Sequence, residues 1–175
     1  KKRTAFIGAI LSLIPFGKPL LIKTGVLFSI SSLMLTFSEK THAETSSFYF
    51  DRGNNQMDQG DYYGAISDYI KAIEINPSEG AYYNRGISKY KLNDYYGAIS
   101  DYTKAIEINP SKYKAYYNRG NAKTALKDHY GAISDYIKAI EINPKYEKAY
   151  VNRGRSFYSI NDKENACKDF KKAVF

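Results

Sequence analysis

The residues of this chain that could carry out covalent or metal chemistry are few and scattered. Its 175 residues contain one cysteine, Cys167, and two histidines, His42 and His129. A single thiol cannot form an intrachain disulfide, a zinc site or an iron–sulfur cluster. Neither a glycine-rich phosphate loop nor a serine with a plausible histidine partner is present in the sequence. We therefore predict a non-enzymatic protein that carries no cofactor and no metal.

Charge is distributed unevenly along the chain. The sequence has 26 basic and 18 acidic side chains, a formal net charge of +8. Residues 1–43 contribute +5 of this surplus, and residues 44–175 contribute only +3. A nucleic-acid-binding domain needs a basic face that displaces counterions from phosphates. Because most of the chain is close to neutral, we expect no nucleic-acid partner.

Short phrases recur in phase along the second part of the chain. Each of four copies contains an Arg-Gly pair, and the glycines are separated by 33, 34 and 34 residues: Gly53, Gly86, Gly120 and Gly154. A second motif, Tyr-Gly-Ala-Ile-Ser-Asp-Tyr, begins at Tyr63, Tyr96 and Tyr130, and its fourth copy, around Cys167, has diverged in sequence. An internal period of this length is typical of stacked helical repeats.

These positions resemble those of the tetratricopeptide repeat, a helix–turn–helix unit of 34 residues. In the second copy they are filled by Tyr82, Gly86, Ala98, Tyr102, Ala105 and Pro110. The resemblance implies an all-α fold: a right-handed α-solenoid of about four stacked antiparallel helix pairs. In this chain it is expected to follow a hydrophobic N-terminal segment. The units expected from it are residues 48–80, 81–114, 115–148 and, incomplete, 149–175.

Small and acidic residues within each unit have physical explanations of their own. Glycine inside a helix costs about 0.5–1 kcal/mol relative to alanine, so Gly86 and Gly120 predict a closely crossing helix, with Ala98 and Ala132 as the facing small residues. An aspartate stands where each second helix should begin and is suited to cap it: Asp61, Asp94, Asp128 and Asp162. No packing reason for Gly64, Gly97 and Gly131 follows from the sequence. Cys167, at the place of three isoleucines, is predicted to be a small buried hydrophobe.

Arginine and aspartate also recur together, at the seventh and twenty-third positions of every unit. The arginines are Arg52, Arg85, Arg119 and Arg153, and the aspartates are Asp68, Asp101, Asp135 and Asp169. Their joint recurrence favours an ion pair, either across the two helices of one unit or between adjacent units. Two independently solvated groups are the alternative.

The first helices of such an array line its concave side, and their side chains form the predicted partner-binding site. These residues are Asn54, Tyr83, Asn84, Ile87, Lys114, Tyr117, Asn118, Asn121, Lys148, Asn152 and Arg155. Asparagine amides can bond the backbone of an extended ligand, and tyrosine rings can hold its side chains at low entropic cost. Some relatives clamp the C-terminal carboxylate of chaperone tails with Lys and Asn. Tyr83 and Tyr117 occupy the places of that clamp's first lysine, so we do not transfer that function.

Residues 1–43 have the composition of a targeting segment. A basic start, Lys1-Lys2-Arg3, precedes an uncharged apolar run over residues 24–38 and a polar exit ending at Ala43. This order is typical of a cleaved secretory signal peptide, and an uncleaved membrane anchor is the alternative. The segment predicts an exported or membrane-associated protein, with a cytoplasmic one less expected. Membrane contact is expected only through this segment.

A protein-interaction scaffold that binds a partner peptide or protein on its concave face is the function these features favour. One alternative is a non-catalytic region of a longer enzyme or assembly, because the chain lacks an initiating Met and stops at Phe175 inside the last helix. Another is a membrane-anchored spacer whose concave residues are simply a solvated surface.

Overall fold

The computed structural model describes residues 45–173, which form eight α-helices and no strand. Their bounds are α1 Ser46–Asp58, α2 Tyr62–Ile75, α3 Glu79–Lys91, α4 Tyr95–Ile108, α5 Tyr113–Ala125, α6 His129–Ile142, α7 Glu147–Ser159 and α8 Lys163–Lys172. Consecutive helices pack as pairs, α1 with α2 through α7 with α8, and each pair packs on the next. This arrangement confirms the predicted all-α solenoid of four helix pairs.

Aspartate caps the second helix of every unit, as predicted. In α4 the Oδ1 atom of Asp94 accepts a hydrogen bond from the Gly97 N–H at 2.9 Å. The structure also explains why glycine follows the cap. A Cβ atom on Gly97 would lie 2.1 Å from Oδ2 of Asp94, so glycine leaves room for the capping carboxylate. In α8 the equivalent residue is Asn165, and its Nδ2 atom donates to Asp162 at 2.7 Å.

The turn between the two helices of each unit contains one residue in the left-handed backbone region. The φ angles are 82° at Gly60, 64° at Asn93, 63° at Lys127 and 64° at Asn161. Glycine adopts this region without steric cost and asparagine adopts it readily, whereas lysine does not. The third unit therefore has the most strained of the four turns.

In each unit an aromatic ring of the second helix packs on a glycine of the first helix, and in units 1 to 3 this ring is fully buried. Tyr102 is 1 % exposed, and a Cβ atom on Gly86 would lie 2.7 Å from its ring. The close contact at Gly86 is therefore with the Tyr102 ring rather than with the predicted Ala98. Tyr102 also clusters with Ala98 and with Ala122 of the following unit. The tyrosine thus joins the two helices of its unit and fills the space between units.

The array of residues 45–173 is curved because its two kinds of helix pack differently. The first helices of neighbouring units approach one another, α1 with α3, α3 with α5 and α5 with α7, whereas the second helices do not. The side on which helices are closer is the inner side of the curve. The first helices therefore line the concave face.

Two predictions are affected by the ends of the described segment. Cys167 is exposed, so the prediction that it is buried is wrong. At the equivalent place Ile99 packs on a cluster that includes Ala122 of the following unit, and no following unit is described beyond residue 173.

The predicted signal or anchor, residues 1–43, lies outside the described residues. Among residues 45–173, every helix is too short or too polar to span a bilayer.

Candidate partner-binding face

The eleven predicted site residues all lie on the first helices, and they differ in exposure. Eight of them are half-buried: Asn54, Tyr83, Asn84, Ile87, Tyr117, Asn118, Asn121 and Asn152. The three cationic ones, Lys114, Lys148 and Arg155, are exposed. We refer to this set as the concave face.

Hydrogen bonds between asparagine and tyrosine connect the units across the concave face. Asn118 of unit 3 donates from Nδ2 to the Tyr83 hydroxyl of unit 2 at 3.0 Å. One unit further along, Asn152 donates from Nδ2 to the Tyr117 hydroxyl, also at 3.0 Å. The same pairing therefore recurs at two successive junctions, because the same two positions of the repeat carry these side chains.

A second set of hydrogen bonds ties the asparagines to the core tyrosines. Asn121 Oδ1 accepts from the Tyr136 hydroxyl and from Asn152 Nδ2, each at 2.8 Å. At the first junction, Asn54 Oδ1 accepts from the Tyr69 hydroxyl and from Asn84 Nδ2, again each at 2.8 Å. The hydroxyl of each of these buried tyrosines thereby has a partner.

These contacts change the role expected for the asparagines. The sequence suggests that their amides bond an extended ligand, whereas the structure shows the Nδ2 groups of Asn84, Asn118 and Asn152 bonded to neighbouring units. The Oδ1 atoms of Asn84 and Asn118 accept no hydrogen bond from residues 45–173. Ligand contact through these residues would therefore use the amide oxygen, which accepts, rather than the amide NH2. The sequence signal for this pairing was the shared period of Tyr and Asn.

The concave tyrosines are held in place before any ligand arrives. The Tyr83 ring lies 5.9 Å from that of Tyr102, and the Lys112 ammonium lies 5.1 Å from the Tyr83 centroid. Burial raises the pKa of Tyr83 to about 12, so its hydroxyl is neutral at physiological pH. The Tyr117 ring packs in the same manner against Tyr136 at 5.8 Å and against Tyr146 at 5.0 Å. Fixed rings lose little side-chain entropy on binding.

Arginine–aspartate pairs form within each unit, which confirms one of the two predicted arrangements. In unit 3, Arg119 donates from Nε and Nη2 to the two carboxylate oxygens of Asp135 at 3.0 and 2.7 Å. Lys123 also reaches this carboxylate, at 2.8 Å. The other pairs are Arg52–Asp68, Arg85–Asp101 and Arg153–Asp169. Only the fold shows that Lys123 faces Asp135.

The three cations of the concave face have no such partners. Lys114, Lys148 and Arg155 form no ion pair with residues 45–173. The guanidinium of Arg155 contacts Asn152 Oδ1 at 3.4 Å, a long hydrogen bond between exposed groups. The uncompensated positive charge of the face is therefore concentrated in units 3 and 4.

A cleft of about 320 Å³ opens on the concave face across units 2, 3 and 4. Its lining residues are Tyr90, Asn121, Thr124, Ala125, Tyr136, Asn152 and Arg155. No acidic side chain lines it, and no group of His, Cys, Asp and Glu that could hold a metal ion occurs in residues 45–173. The chemistry available in the cleft is hydrogen bonding, aromatic contact and one positive charge.

A curved array of helix pairs with a prearranged polar and aromatic inner face defines an α-solenoid interaction module. Tetratricopeptide repeat models match residues 46–79, 80–112, 113–146 and 147–174. The chain therefore belongs to the tetratricopeptide repeat family, whose members are typically non-catalytic protein-interaction scaffolds. No curated protein sequence matches the chain significantly.

Solved structures share this fold over most of their length. A crystal structure of MamA is 25% identical, with a TM-score of 0.75, and the match covers 85% of this chain and 95% of that one. The first repeat domain of Spaghetti (RPAP3) bound to the HSP90 peptide SRMEEVD is 28% identical, with a TM-score of 0.65 and coverage of 66% and 93%. The first repeat domain of human RPAP3 is 30% identical, with a TM-score of 0.64 and coverage of 69% and 95%.

Proposed function

We propose that the concave face of this protein holds a partner protein through an extended peptide segment. The observation that carries the proposal is the pair of hydrogen bonds that fix Tyr83 and Tyr117 against Asn118 and Asn152. Each ring keeps its orientation through a neighbouring unit, so the spacing of the rings is set by the repeat. A segment of regular backbone can then present side chains to successive rings.

The energetics of such a face suit reversible binding. The Tyr and Asn side chains are already ordered, so a ligand does not bear the cost of about 0.5–1.5 kcal/mol for each side chain that binding would otherwise immobilise. The amide oxygens of Asn84 and Asn118 offer acceptors for the backbone N–H groups of the segment. The aromatic rings add apolar contact area.

The solved relatives support this proposal at the level of size and shape. The Spaghetti domain, 93% of which is matched here, is bound to a seven-residue peptide in its structure. An array of this size is therefore large enough to hold a short segment. We do not extend the peptide sequence bound by that domain to this chain, because Tyr83 and Tyr117 occupy the places of the first lysine of the carboxylate clamp.

Affinity capture with matched variants tests the proposal. The full chain, a Tyr83→Ala/Tyr117→Ala variant and a Tyr96→Ala/Tyr130→Ala variant would each be immobilised and exposed to an extract of the source cells. Tyr96 and Tyr130 are the same residue type in the same two units, but they lie on the second helices and are 76 % and 74 % exposed. A partner retained by the parent and by the control, but lost by the concave variant, supports the proposal.

The capture experiment also separates this function from that of a spacer. If the concave variant recovers the same proteins as the parent while its circular dichroism spectrum stays helical, the concave face does not bind a partner. Recovery of no specific protein by any of the three would lead to the same conclusion. Equal losses in both double variants would place the binding surface elsewhere.

We further propose that the protein is exported or membrane-associated, a proposal that rests on the sequence of residues 1–43 alone. A basic start followed by an apolar run and a small residue at position 43 is the supporting pattern. Cell fractionation combined with N-terminal sequencing of the mature protein tests it. A mature chain that begins after Ala43 indicates a cleaved signal, and an intact chain in the soluble cytoplasmic fraction contradicts the proposal.

A further inference from the structure

One arginine of the described array differs from all the others. Residues 45–173 contain five arginines, and four of them are neutralised by an aspartate of their own unit. Arg155 has no carboxylate partner within these residues, and its side chain forms part of the wall of the 320 Å³ cleft. A guanidinium presents several N–H donors in a planar fork that matches carboxylate geometry. Arg155 therefore has unused donors at the edge of a defined space.

Tyr90 supplies a second donor in the same cleft. Its ring is held edge-on by Tyr95 with centroids 5.3 Å apart, and its hydroxyl forms no hydrogen bond with residues 45–173. Burial raises the pKa of Tyr90, so the hydroxyl keeps its proton at physiological pH. Tyr90 and Arg155 come from units 2 and 4, and both line the cleft.

Most of the other polar groups of the cleft are hydrogen-bonded to one another. Asn121 Oδ1 accepts from Tyr136 and Asn152, and Thr124 shares a hydrogen bond with the Tyr136 hydroxyl at 3.1 Å. The hydroxyls of Thr124 and Tyr136 and the Nδ2 group of Asn152 thus already have partners, whereas the Asn121 Nδ2 group donates no hydrogen bond to residues 45–173. A ligand entering the cleft would therefore meet unused donors at Arg155, Tyr90 and Asn121.

We propose that this cleft receives an acidic side chain, Asp or Glu, from within the partner segment. The carboxylate accepts hydrogen bonds from the Arg155 guanidinium and from the Tyr90 hydroxyl. The argument is charge complementarity: the one free arginine of residues 45–173 lines the cleft, and none of the cleft residues is acidic. The volume suits one or two side chains, since it lies at the lower end of the range of about 300–1,000 Å³ for ligand pockets. This inference rests on the proposed peptide-binding function and specifies its ligand.

The repeat supplies a matched variant for the test. Arg155 stands at the ninth position of unit 4, which is Asn121 in unit 3 and Asn54 in unit 1. Arg155→Asn therefore introduces a residue that the fold already accepts at that position. Tyr90→Phe removes the second donor while keeping the ring. Lys163→Asn removes one positive charge from an exposed residue of α8 and serves as the charge control.

The experiment screens an array of random twelve-residue peptides, all amidated at the C-terminus, against the purified full-length chain. Amidation removes the terminal carboxylate, so acidic side chains are the carboxylates available. The strongest binding peptide and its Glu→Gln or Asp→Asn counterpart are then titrated by fluorescence anisotropy. We expect selected peptides to share one acidic position, and Arg155→Asn to weaken the acidic peptide about tenfold, about 1.4 kcal/mol. Tyr90→Phe should weaken the same peptide about threefold.

The controls distinguish failure of this inference from failure of the proposed function. The neutral peptide should bind the parent and Arg155→Asn equally, and Lys163→Asn should leave both titrations unchanged. Peptides that depend on Tyr117 but show no acidic position, or no coupling to Arg155, overturn the acidic-side-chain inference and leave the proposed function standing. If no peptide binds, or if binding is insensitive to Tyr83→Ala and Tyr117→Ala, the peptide-binding function fails and this inference with it.

Discussion

The buried carboxylate of Asp135 should be among the most sensitive polar groups in the described array. Its side chain is 4 % exposed, and it faces Arg119 and Lys123, which are 17% and 22% exposed. Replacing Asp135 by Ala leaves two partly buried cations without a counter-charge, which we expect to cost about 3 kcal/mol of unfolding free energy. Arg119→Ala should cost less, about 2 kcal/mol, because Lys123 still neutralises the carboxylate.

A double-mutant cycle isolates the interaction between the two residues. The double variant removes both charges, so we expect a coupling of about 1.5–2 kcal/mol between Arg119 and Asp135. The measurement is urea unfolding followed by circular dichroism and by tyrosine fluorescence, whose transitions must coincide for a two-state analysis. The matched control is the pair Lys138–Glu141, whose side chains are 56% and 54% exposed and should couple by less than about 0.5 kcal/mol. A coupling at Arg119–Asp135 no larger than the control would refute the reasoning.

Three further outcomes are expected. Gly131→Ala should destabilise by about 1–2 kcal/mol, since its Cβ would lie 2.1 Å from the capping Oδ2 of Asp128; in an Asp128→Ala background the same change should be neutral or stabilising in urea unfolding. Lys127→Gly should stabilise by about 0.5–1 kcal/mol, because Lys127 has a φ of 63°; an unchanged or lower urea midpoint would contradict this. The raised pKa of Tyr83, about 12, means that the folded state binds more protons above pH 10, so stability should fall as pH rises from 10 to 12. Tyr83→Phe should make that fall shallower in thermal melts, and an identical pH profile would count against it.

Much of the fold follows from the sequence because the same residue types recur at the same positions of four units. Asp94 and Asp128 stand before apolar-periodic segments, so their capping role follows from residue type and place. The pairing of Arg119 with Asp135 follows from joint recurrence, although their common unit needed the structure. The repeat pattern does not reveal which side chain occupies the space beside each helical glycine. The space beside Gly86 holds the Tyr102 ring, a contact that depends on the crossing of two helices.

The candidate site was predictable in its location but less so in its chemistry. All of its residues lie on the first helices, as the helical period requires. That the amide of Asn118 bonds Tyr83 depends on how far one unit is displaced from the next, and a period of 34 residues does not give that displacement. The exposure of Cys167 was missed for a related reason. The prediction assumed that Cys167 is buried like the isoleucines at the equivalent positions, which have a following unit beside them.

Because of the hydrogen bonds between units, some residues of the concave face are harder to replace than others. Altering Asn121 would remove its hydrogen bond to Asn152 and one of the two hydrogen-bond partners of the buried Tyr136 hydroxyl. Ile87 and Arg155 occupy the same place in their own units, yet neither side chain forms a hydrogen bond to another unit among the described residues. Ile87 nevertheless packs on the cluster of Ala98, Tyr102 and Ala122, which joins two units, whereas Arg155 is exposed. Divergence of specificity among related arrays should therefore accumulate first at the place of Arg155.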